Sequence, residues 1–451
     1  MSSKNLMISV SGIRGIIGKK DGLTPETALK FAAAYATFCK KGKIVIGSDT
    51  RPSRSVVKPA IIAGLTGCGL DVIDLGICPT PTVELAVKEL RASGGIIVTA
   101  SHNPIEWNAL KMLNSKGMFL SAEEGNKVLK IYESGKYNYQ PHNNLGSISS
   151  KEFVSKHIVR ILNLPAVKTG LIKERKFKVA LDCVNGAGSI LSPILIKNLG
   201  CELFPINCEP TGEFTRGPEP IPDNLRQLSA AVKKYDCDIG FAHDPDADRL
   251  AIVNEKGKAI GEEYTLAFAV DYILSVKKGV VAINLSTSRI NDDIAKSYGV
   301  KLHRTKVGEI NCSMKLKSCR GVIGGEGNGG VIYPELLYGR DGAVGIALIL
   351  SYLAKRNLTV SQAVSNLPSY VMIKTKVNAT REGIEKKLPK LRKGFPKASI
   401  NLDDGIKFDY EDSWVHIRAS NTEPIARIIA EAPTTEKAKQ LITKAKNSIL
   451  K

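Results

Sequence analysis

The strongest constraint on the fold of this chain is a theme that recurs along it: a short, almost unbroken apolar run, then a polar loop, then an amphipathic helical pattern. The runs Lys43-Ile44-Val45-Ile46, Ile96-Ile97-Val98, Lys178-Val179-Ala180-Leu181 and Val280-Val281-Ala282-Ile283 each lead into a loop and a helical pattern, as in Ser189-Ile190 through Leu199. Strands alternating with helices predict a largely parallel sheet covered on both faces, and hence an α/β class. The tail differs. Trp414-Val415-His416-Ile417-Arg418 and Ala426-Arg427-Ile428-Ile429-Ala430 flank a short polar loop and precede a basic helix from about Thr435, an α+β pattern. A chain of 451 residues exceeds a single core, so several domains are expected. Polar breaks at His142-Asn143-Asn144-Leu145-Gly146-Ser147, at Glu255-Lys256-Gly257-Lys258 and around Pro368-Ser369 predict α/β domains over 1–150, 151–257 and 258–370, and an α+β domain over 371–451.

Composition removes several function classes. Apolar residues make up 43%, and the 40 glycines and 21 prolines are dispersed, so disorder is not expected. No run reaches the ~18 apolar residues of a membrane span, and the start MSSKNLMISV lacks the apolar stretch of a secretion signal. A cytoplasmic protein with no membrane partner is the expectation. The nine cysteines form no CxxC pair and read as reduced thiols rather than disulfides or a zinc site. The net charge of +20 is spread along the chain without an aromatic-basic motif, which argues against nucleic acid as a partner. A field of that sign also draws in small dianionic substrates.

Two stretches carry the chemistry. Thr99-Ala100-Ser101-His102-Asn103-Pro104 follows the strand-like Gly95-Ile96-Ile97-Val98, and His243-Asp244-Pro245-Asp246-Ala247-Asp248-Arg249 lies between Ile239-Gly240-Phe241 and Leu250-Ala251-Ile252-Val253. Aspartates at alternate positions of a short loop can turn their carboxylates toward one centre, and hard oxygen ligands suit Mg²⁺. A calcium-like turn or a capping loop fits the same residues. Ser101 alone is equally a cap or a turn residue; paired with a metal site, it suggests a phosphorylated serine.

With these motifs and two more, Gly325-Glu326-Gly327-Asn328-Gly329-Gly330 and Arg418-Ala419-Ser420-Asn421-Thr422-Glu423-Pro424, the chain resembles the α-D-phosphohexomutase family over essentially its full length. The resemblance implies four domains around a central cleft. Three are similar α/β domains with mixed sheets, the last is a more mobile α+β domain, and each gives one loop to the cleft. It implies that Ser101 carries the phosphoryl group and joins Asp244, Asp246 and Asp248 around one Mg²⁺. His102 would donate a hydrogen bond to the phosphate, and Arg14, in Ser11-Gly12-Ile13-Arg14-Gly15, would support the serine loop. Lys111 would be a general acid/base, its pKa lowered by burial or by neighbouring cations such as Arg14 and Arg249. Arg249 would pair with substrate or phosphoserine, and Glu309, closing Arg304-Thr305-Lys306-Val307-Gly308-Glu309, would be a second acid/base. Glu326 and Asn328 would read the sugar hydroxyls, although Asn328 and Gly330 stand where the commoner version has serine and histidine. Arg418, Ser420, Asn421 and Thr422 would grip the phosphate that is not reacting.

The reaction implied is two phosphoryl transfers through a 1,6-bisphosphate that turns around in the cleft, with glucose- or glucosamine-1,6-bisphosphate as activator. The partner is then a small phosphosugar, handled by a monomer or homodimer. The Glu423-Pro424 ending and the Gly-Glu-Gly-Asn-Gly-Gly loop look most like bacterial proteins of the phosphoglucosamine mutase group, which interconvert glucosamine 6-phosphate and glucosamine 1-phosphate. A phosphomannomutase or phosphoglucomutase is the alternative. A metal-dependent sugar phosphatase would use the aspartates without needing Ser101 and Lys111.

Overall fold

The computed structural model describes residues 5–9, 12–419 and 425–450. Among them the chain forms four sheets in sequence. The first has seven strands ordered Leu6–Ser9, Gly12–Ile16, Trp107–Asn114, Gly94–Val98, Lys43–Ser48, Asp71–Ile77 and Ile148–Ser150. It is antiparallel as far as Gly94–Val98 and parallel beyond it. The second sheet is ordered Leu250–Asn254, Ile239–His243, Lys178–Asp182, Glu202–Ile206, and the third Leu302–Thr305, Val281–Asn284, Ile323–Glu326, Gly330–Ile332. In both, parallel strands end on one antiparallel edge. The fourth is wholly antiparallel: Val371–Asn378, Ile425–Ala432, Trp414–Ala419, Ile406–Asp409, Ser399–Asn401.

The run Ile96–Val98 corrects one expectation. It leads through the serine loop into the antiparallel strand Trp107–Asn114, not into a helix. The apolar spacing of Ala109, Leu110, Met112 and Leu113 mimics a helical face, but the strand is buried on both faces, so alternation is lost. The apolar strands Gly94–Val98 and Ile239–His243 lie inside their sheets and are buried at every position, as strands covered on both faces must be; Leu250–Asn254 is an edge strand that is buried throughout because the helices Arg226–Lys234, Glu263–Val276 and Gly342–Arg356 pack against it.

Helix boundaries follow local chemistry. Thr24 caps Pro25–Cys39 through Thr27, Ser121 and Glu124 form a reciprocal capping box on Ala122–Ser134, and Asp341 accepts from Ala343 and Val344 at the start of Gly342–Arg356. Gly342–Arg356 is buried from Gly342 through Leu353 and packs against the helices Glu263–Val276, Thr169–Arg175 and Gly188–Asn198, fastening the second and third sheets together. One apolar core is continuous through the first three sheets, whereas the fourth has a core of its own against Thr435–Leu450. Polar contacts hold the fourth sheet in place: Arg289 donates to Glu431 and Asp409, Ser286 pairs with His416, and Val307 N donates to Asp404. No described helix is long and apolar enough to cross a membrane, and all nine cysteines are free thiols.

Candidate active site

Ser101 lies just beyond the strand Gly94–Val98 with φ of +49°, in the left-handed region that a non-glycine residue rarely occupies. Its amide donates to Thr99 Oγ1 at 2.9 Å, and its Oγ donates to Asp244 Oδ2 at 2.8 Å. The turn is held from beneath by Arg51, a wholly buried guanidinium. Nε donates to Asp49 Oδ2 at 3.0 Å; Nη2 donates to the carbonyls of Ser101 and Asn103, each at 2.6 Å; Nη1 donates to those of Pro104 and Trp107. Asp49 also accepts from Thr99 Oγ1 at 2.6 Å, so one buried ion pair fixes both sides of the serine. All five guanidinium protons are used.

The aspartate loop joins the strands Ile239–His243 and Leu250–Asn254 at the end of the second sheet. Asp244, Asp246 and Asp248 are fully buried and bring carboxylate oxygens within 4.8 Å of one another. Asp246 Oδ2 accepts from Thr80 Oγ1 at 2.7 Å and from Lys111 Nζ at 2.6 Å; Asp248 Oδ2 accepts from Arg340 Nη2 at 2.6 Å. Their Oδ1 atoms are buried with no hydrogen-bond partner. Burial, reinforced by Asp248 and Asp246, pushes the Asp244 carboxyl well above the usual carboxylate range. Burial acts the same way on Asp246, but Lys111 and the hydrogen bonds from Asp244, Lys111 and Thr80 outweigh it and hold that carboxyl low. Convergent, unpartnered carboxylate oxygens beside a serine hydroxyl are what a hard divalent cation would satisfy, and the all-oxygen donor set fits Mg²⁺.

Lys111, on the strand Trp107–Asn114, corrects a second expectation. Burial does act to lower its pKa, but Asp246 at 2.6 Å and Asp248 at 3.8 Å outweigh it and the pKa is raised. His102 is neutral: burial, then Arg249 and Arg14, press its pKa well below the ordinary value. Its Nδ1 accepts from Arg249 Nη2 at 2.9 Å, and Arg249 Nη1 donates to Glu219 at 3.0 Å. Arg14 Nη1 donates to Asn103 Oδ1 at 2.6 Å.

On the opposite wall, Glu309 opens the helix Glu309–Cys319 and is buried, not solvated; burial is the first cause that lifts its carboxyl to about 7. Arg340 connects this wall to the aspartate loop. Its amide donates to Glu309 Oε1 at 2.7 Å, Nη1 to Glu326 Oε2 at 2.7 Å and Nη2 to Asp248 at 2.6 Å. Glu326 Oε1 accepts from Asn284 at 2.8 Å and from Gly308 N at 2.9 Å. Burial works against ionisation of Glu326, but Arg340 and these donors keep it below the usual range. The segment 325–330 is a tight connection between antiparallel strands, and Asn328 Oδ1 within it is buried with no hydrogen-bond partner. Gly325, with φ of +147°, leaves no room for a side chain: a Cβ there would meet the Gly330 carbonyl oxygen at 2.0 Å.

Ser101, His102, Lys111, Arg249, Glu309 and Arg340 are among the residues that line one cleft of about 660 Å³, which Arg418 enters from the fourth sheet. Arg418 pairs with Asp404 at 3.3 Å. Ser420, Asn421 and Thr422 lie outside the described residues, as does Ser11.

Profiles of the phosphoglucomutase/phosphomannomutase family match in order: domain I over residues 6–139, domain II over 155–257, domain III over 261–370 and the C-terminal domain over 372–447. This chain belongs to the α-D-phosphohexomutase family. It is 39% identical to a Thermococcus kodakarensis protein named "Phosphoglucomutase/phosphomannomutase", across 96% of this chain and 95% of that one. It is 36% identical to a Pyrococcus horikoshii protein named "Probable phosphoglucosamine mutase", across 97% and 96%. A crystal structure of a phosphoglucomutase/phosphomannomutase family protein from Burkholderia thailandensis superposes with a TM-score of 0.86 at 26% identity, covering 98% of this chain and 97% of that one. The chain is therefore a phosphohexomutase, an intramolecular phosphotransferase.

Within this phosphohexomutase the cleft brings together Ser101, His102, Lys111, Arg14, Arg249, Glu309, Glu326, Asn328 and Arg418, with the aspartates directly beneath Ser101 and Lys111. Sequence reasoning missed Arg51 and Arg340, the two guanidiniums that hold the loops in register. Arg51 follows Asp49 by two residues in Ser48-Asp49-Thr50-Arg51, and Arg340 precedes the capping Asp341. Each was visible only as a charged residue beside a predicted element.

Proposed function

We propose that this phosphohexomutase moves a phosphoryl group between O6 and O1 of a hexose through phospho-Ser101 and a 1,6-bisphosphate, with glucosamine 6-phosphate and glucosamine 1-phosphate as its pair. The observation that carries the reading is Ser101 itself: a left-handed residue in the cleft wall whose Oγ donates to Asp244 at 2.8 Å, beside two buried carboxylate oxygens without hydrogen-bond partners. Asp244, Asp246, Asp248 and the serine oxygen would hold Mg²⁺, which supplies charge neutralisation on the transferring phosphoryl group.

The chain's own groups divide the remaining work. Arg14 and Arg249 present guanidinium charge to the same phosphoryl group, and neutral His102, whose Nδ1 accepts from Arg249, keeps Nε2–H free to donate. Lys111, its proton held by Asp246, acts as an acid toward the leaving oxygen. Glu309, lifted to about 7, is matched to taking a proton from the attacking hydroxyl near neutral pH. Glu326 is oriented by Arg340, Asn284 and Gly308 so that its remaining lone pairs accept from sugar hydroxyls, and Asn328 offers an unpartnered Oδ1 to another. Arg418, with Ser420, Asn421 and Thr422, grips the idle phosphate.

The name carried by the Pyrococcus horikoshii relative supports the amino sugar; the Thermococcus kodakarensis name supports a glucose or mannose phosphate as the second reading. The test is kcat/KM for glucosamine 1-phosphate, glucose 1-phosphate and mannose 1-phosphate with Mg²⁺ and a priming bisphosphate, beside Ser101→Ala. Preference for the amino sugar, lost in the variant, is the expected result. Preference for glucose or mannose transfers the protein to the second reading, and absence of any 6-phosphate product overturns both.

A further inference from the structure

Four glutamates line the cleft, and guanidiniums claim three of them. Glu309 and Glu326 pair with Arg340 at 3.1 and 2.7 Å, and Glu219 pairs with Arg249 at 3.0 Å. Glu263 is the fourth. It opens the helix Glu263–Val276, its Oε2 accepts from the Ser288 amide at 2.9 Å, and its side chain keeps 14% of its surface exposed. Its pairing with a cation is loose: Lys374 Nζ lies 4.0 Å from Glu263 Oε1 but 2.7 Å from Glu262. Burial is the first cause that lifts the Glu263 carboxyl to about 8; Lys374 and the Ser288 amide act against the shift, and Glu431, on Ile425–Ala432, and Glu262 act with it. Near neutral pH Glu263 is therefore an acid whose surroundings do not supply enough positive charge to ionise it.

This carboxyl is seated on the segment proposed to read the sugar. A Cβ on Gly327 would meet Glu263 Oε2 at 2.0 Å and Oε1 at 2.3 Å, so the backbone between Glu326 and Asn328 lies directly against it. A hexose whose ring hydroxyls are held by Glu326 and Asn328 carries its 2-substituent on an adjoining carbon. In a glucosamine phosphate that substituent is an ammonium; in a glucose phosphate it is a neutral hydroxyl. The other three cleft glutamates already share their charge with guanidiniums, so an ammonium gains least from them. We propose that Glu263 is the ammonium-binding position of the cleft, pairing with the 2-amino group of a hexosamine phosphate and so selecting amino sugars over glucose and mannose phosphates. This rests on the amino-sugar reading and deepens it. On binding, the carboxyl proton leaves to solvent and the carboxylate pairs with the ammonium. A sugar that exchanges its 1- and 6-ends brings C5 to where C2 stood, so the contact serves one of the two phosphate isomers.

The experiment uses the full chain with Ser101→Ala, which cannot exchange phosphate, with and without Glu263→Gln. Calorimetry at about pH 6.5, where an amine is charged, measures binding of glucosamine 1-phosphate, glucosamine 6-phosphate and the two corresponding glucose phosphates in two buffers of unequal ionisation enthalpy. For at least one isomer, Glu263→Gln should weaken the amino sugar at least about tenfold while changing its glucose counterpart less than about threefold. Before the substitution that isomer should release about one proton more than its glucose counterpart, and after it no more. Equal losses for both sugars would make Glu263 structural, and an unchanged amino-sugar affinity or a proton release that survives the substitution would place the ammonium elsewhere; each overturns the proposal. Turnover by the chain that keeps Ser101 separates the two levels. A preference for glucosamine phosphates that persists in Glu263→Gln overturns the proposal alone, whereas a native protein that prefers glucose or mannose phosphates fails the amino-sugar reading and the proposal with it.

Discussion

Replacing Arg51 by lysine tests whether one buried guanidinium builds the serine loop. The native side chain is fully buried and places five N–H groups on Asp49 and on the carbonyls of Ser101, Asn103, Pro104 and Trp107. An ammonium has three donors, so once Asp49 is paired at least two of the four carbonyls lose theirs. Each stranded buried acceptor costs about 1–3 kcal/mol, so Arg51→Lys should lose about 2–6 kcal/mol in urea unfolding, a large share of the roughly 5–15 kcal/mol typical of a folded domain. Arg51→Met should lose no less, because it strands the buried Asp49 carboxylate, and breaking a buried pair costs about 3–5 kcal/mol. The assay is paired: urea unfolding followed by fluorescence, and kcat at saturating substrate. Because the lost donors fix Ser101, the proposed phosphoryl carrier, kcat should fall at least about tenfold, while KM, which the same proposal assigns to Glu326 and Arg418 on the far wall, should change less. An Arg51→Lys variant whose stability lies within about 0.5 kcal/mol of the native protein, with unchanged kcat, would refute the reasoning.

Other perturbations have definite signs. Chelation of divalent cations should abolish turnover and added Mg²⁺ restore it, and Asp246→Asn, which alters a carboxylate with a buried unpartnered oxygen, should weaken Mg²⁺ binding at least about tenfold by titration calorimetry. Burial lifts the Glu263 carboxyl from 4.5 to about 8, so its contribution to stability is full below about pH 4.5 and is lost as pH rises through about 8. Glu263→Gln cannot ionise. The native protein should therefore lose stability relative to that variant across this window in denaturant titrations, and parallel curves would contradict the assignment.

What could be read from the sequence was whatever chemistry lies close together in the chain. Ser101 with His102, the alternate aspartates, and Glu326 with Asn328 each sit in one loop, and their spacing already limits what they can do. Lys111 lines the cleft but in a different electrostatic setting from the one expected, because the carboxylates that hold its proton come from residues 246 and 248. Arg340 gathers Asp248, Glu309 and Glu326 from three separate segments, and Arg51 reaches carbonyls 50 to 56 residues ahead. Neither leaves a local pattern. The same limit misassigned the segment after Val98: its apolar spacing is helical, and only pairing with Gly12–Ile16 and Gly94–Val98 makes it a strand.

In the proposed reaction every phosphoryl group passes through Ser101. The most direct measurement is the intact mass of the Mg²⁺-loaded protein after exposure to a hexose 1,6-bisphosphate, followed by a chase with hexose monophosphate and peptide mapping. A single phosphoryl group on Ser101 that disappears in the chase as bisphosphate re-forms is the result predicted. A protein that turns over substrate while Ser101 stays unmodified, or in which Ser101→Ala remains active, would contradict it.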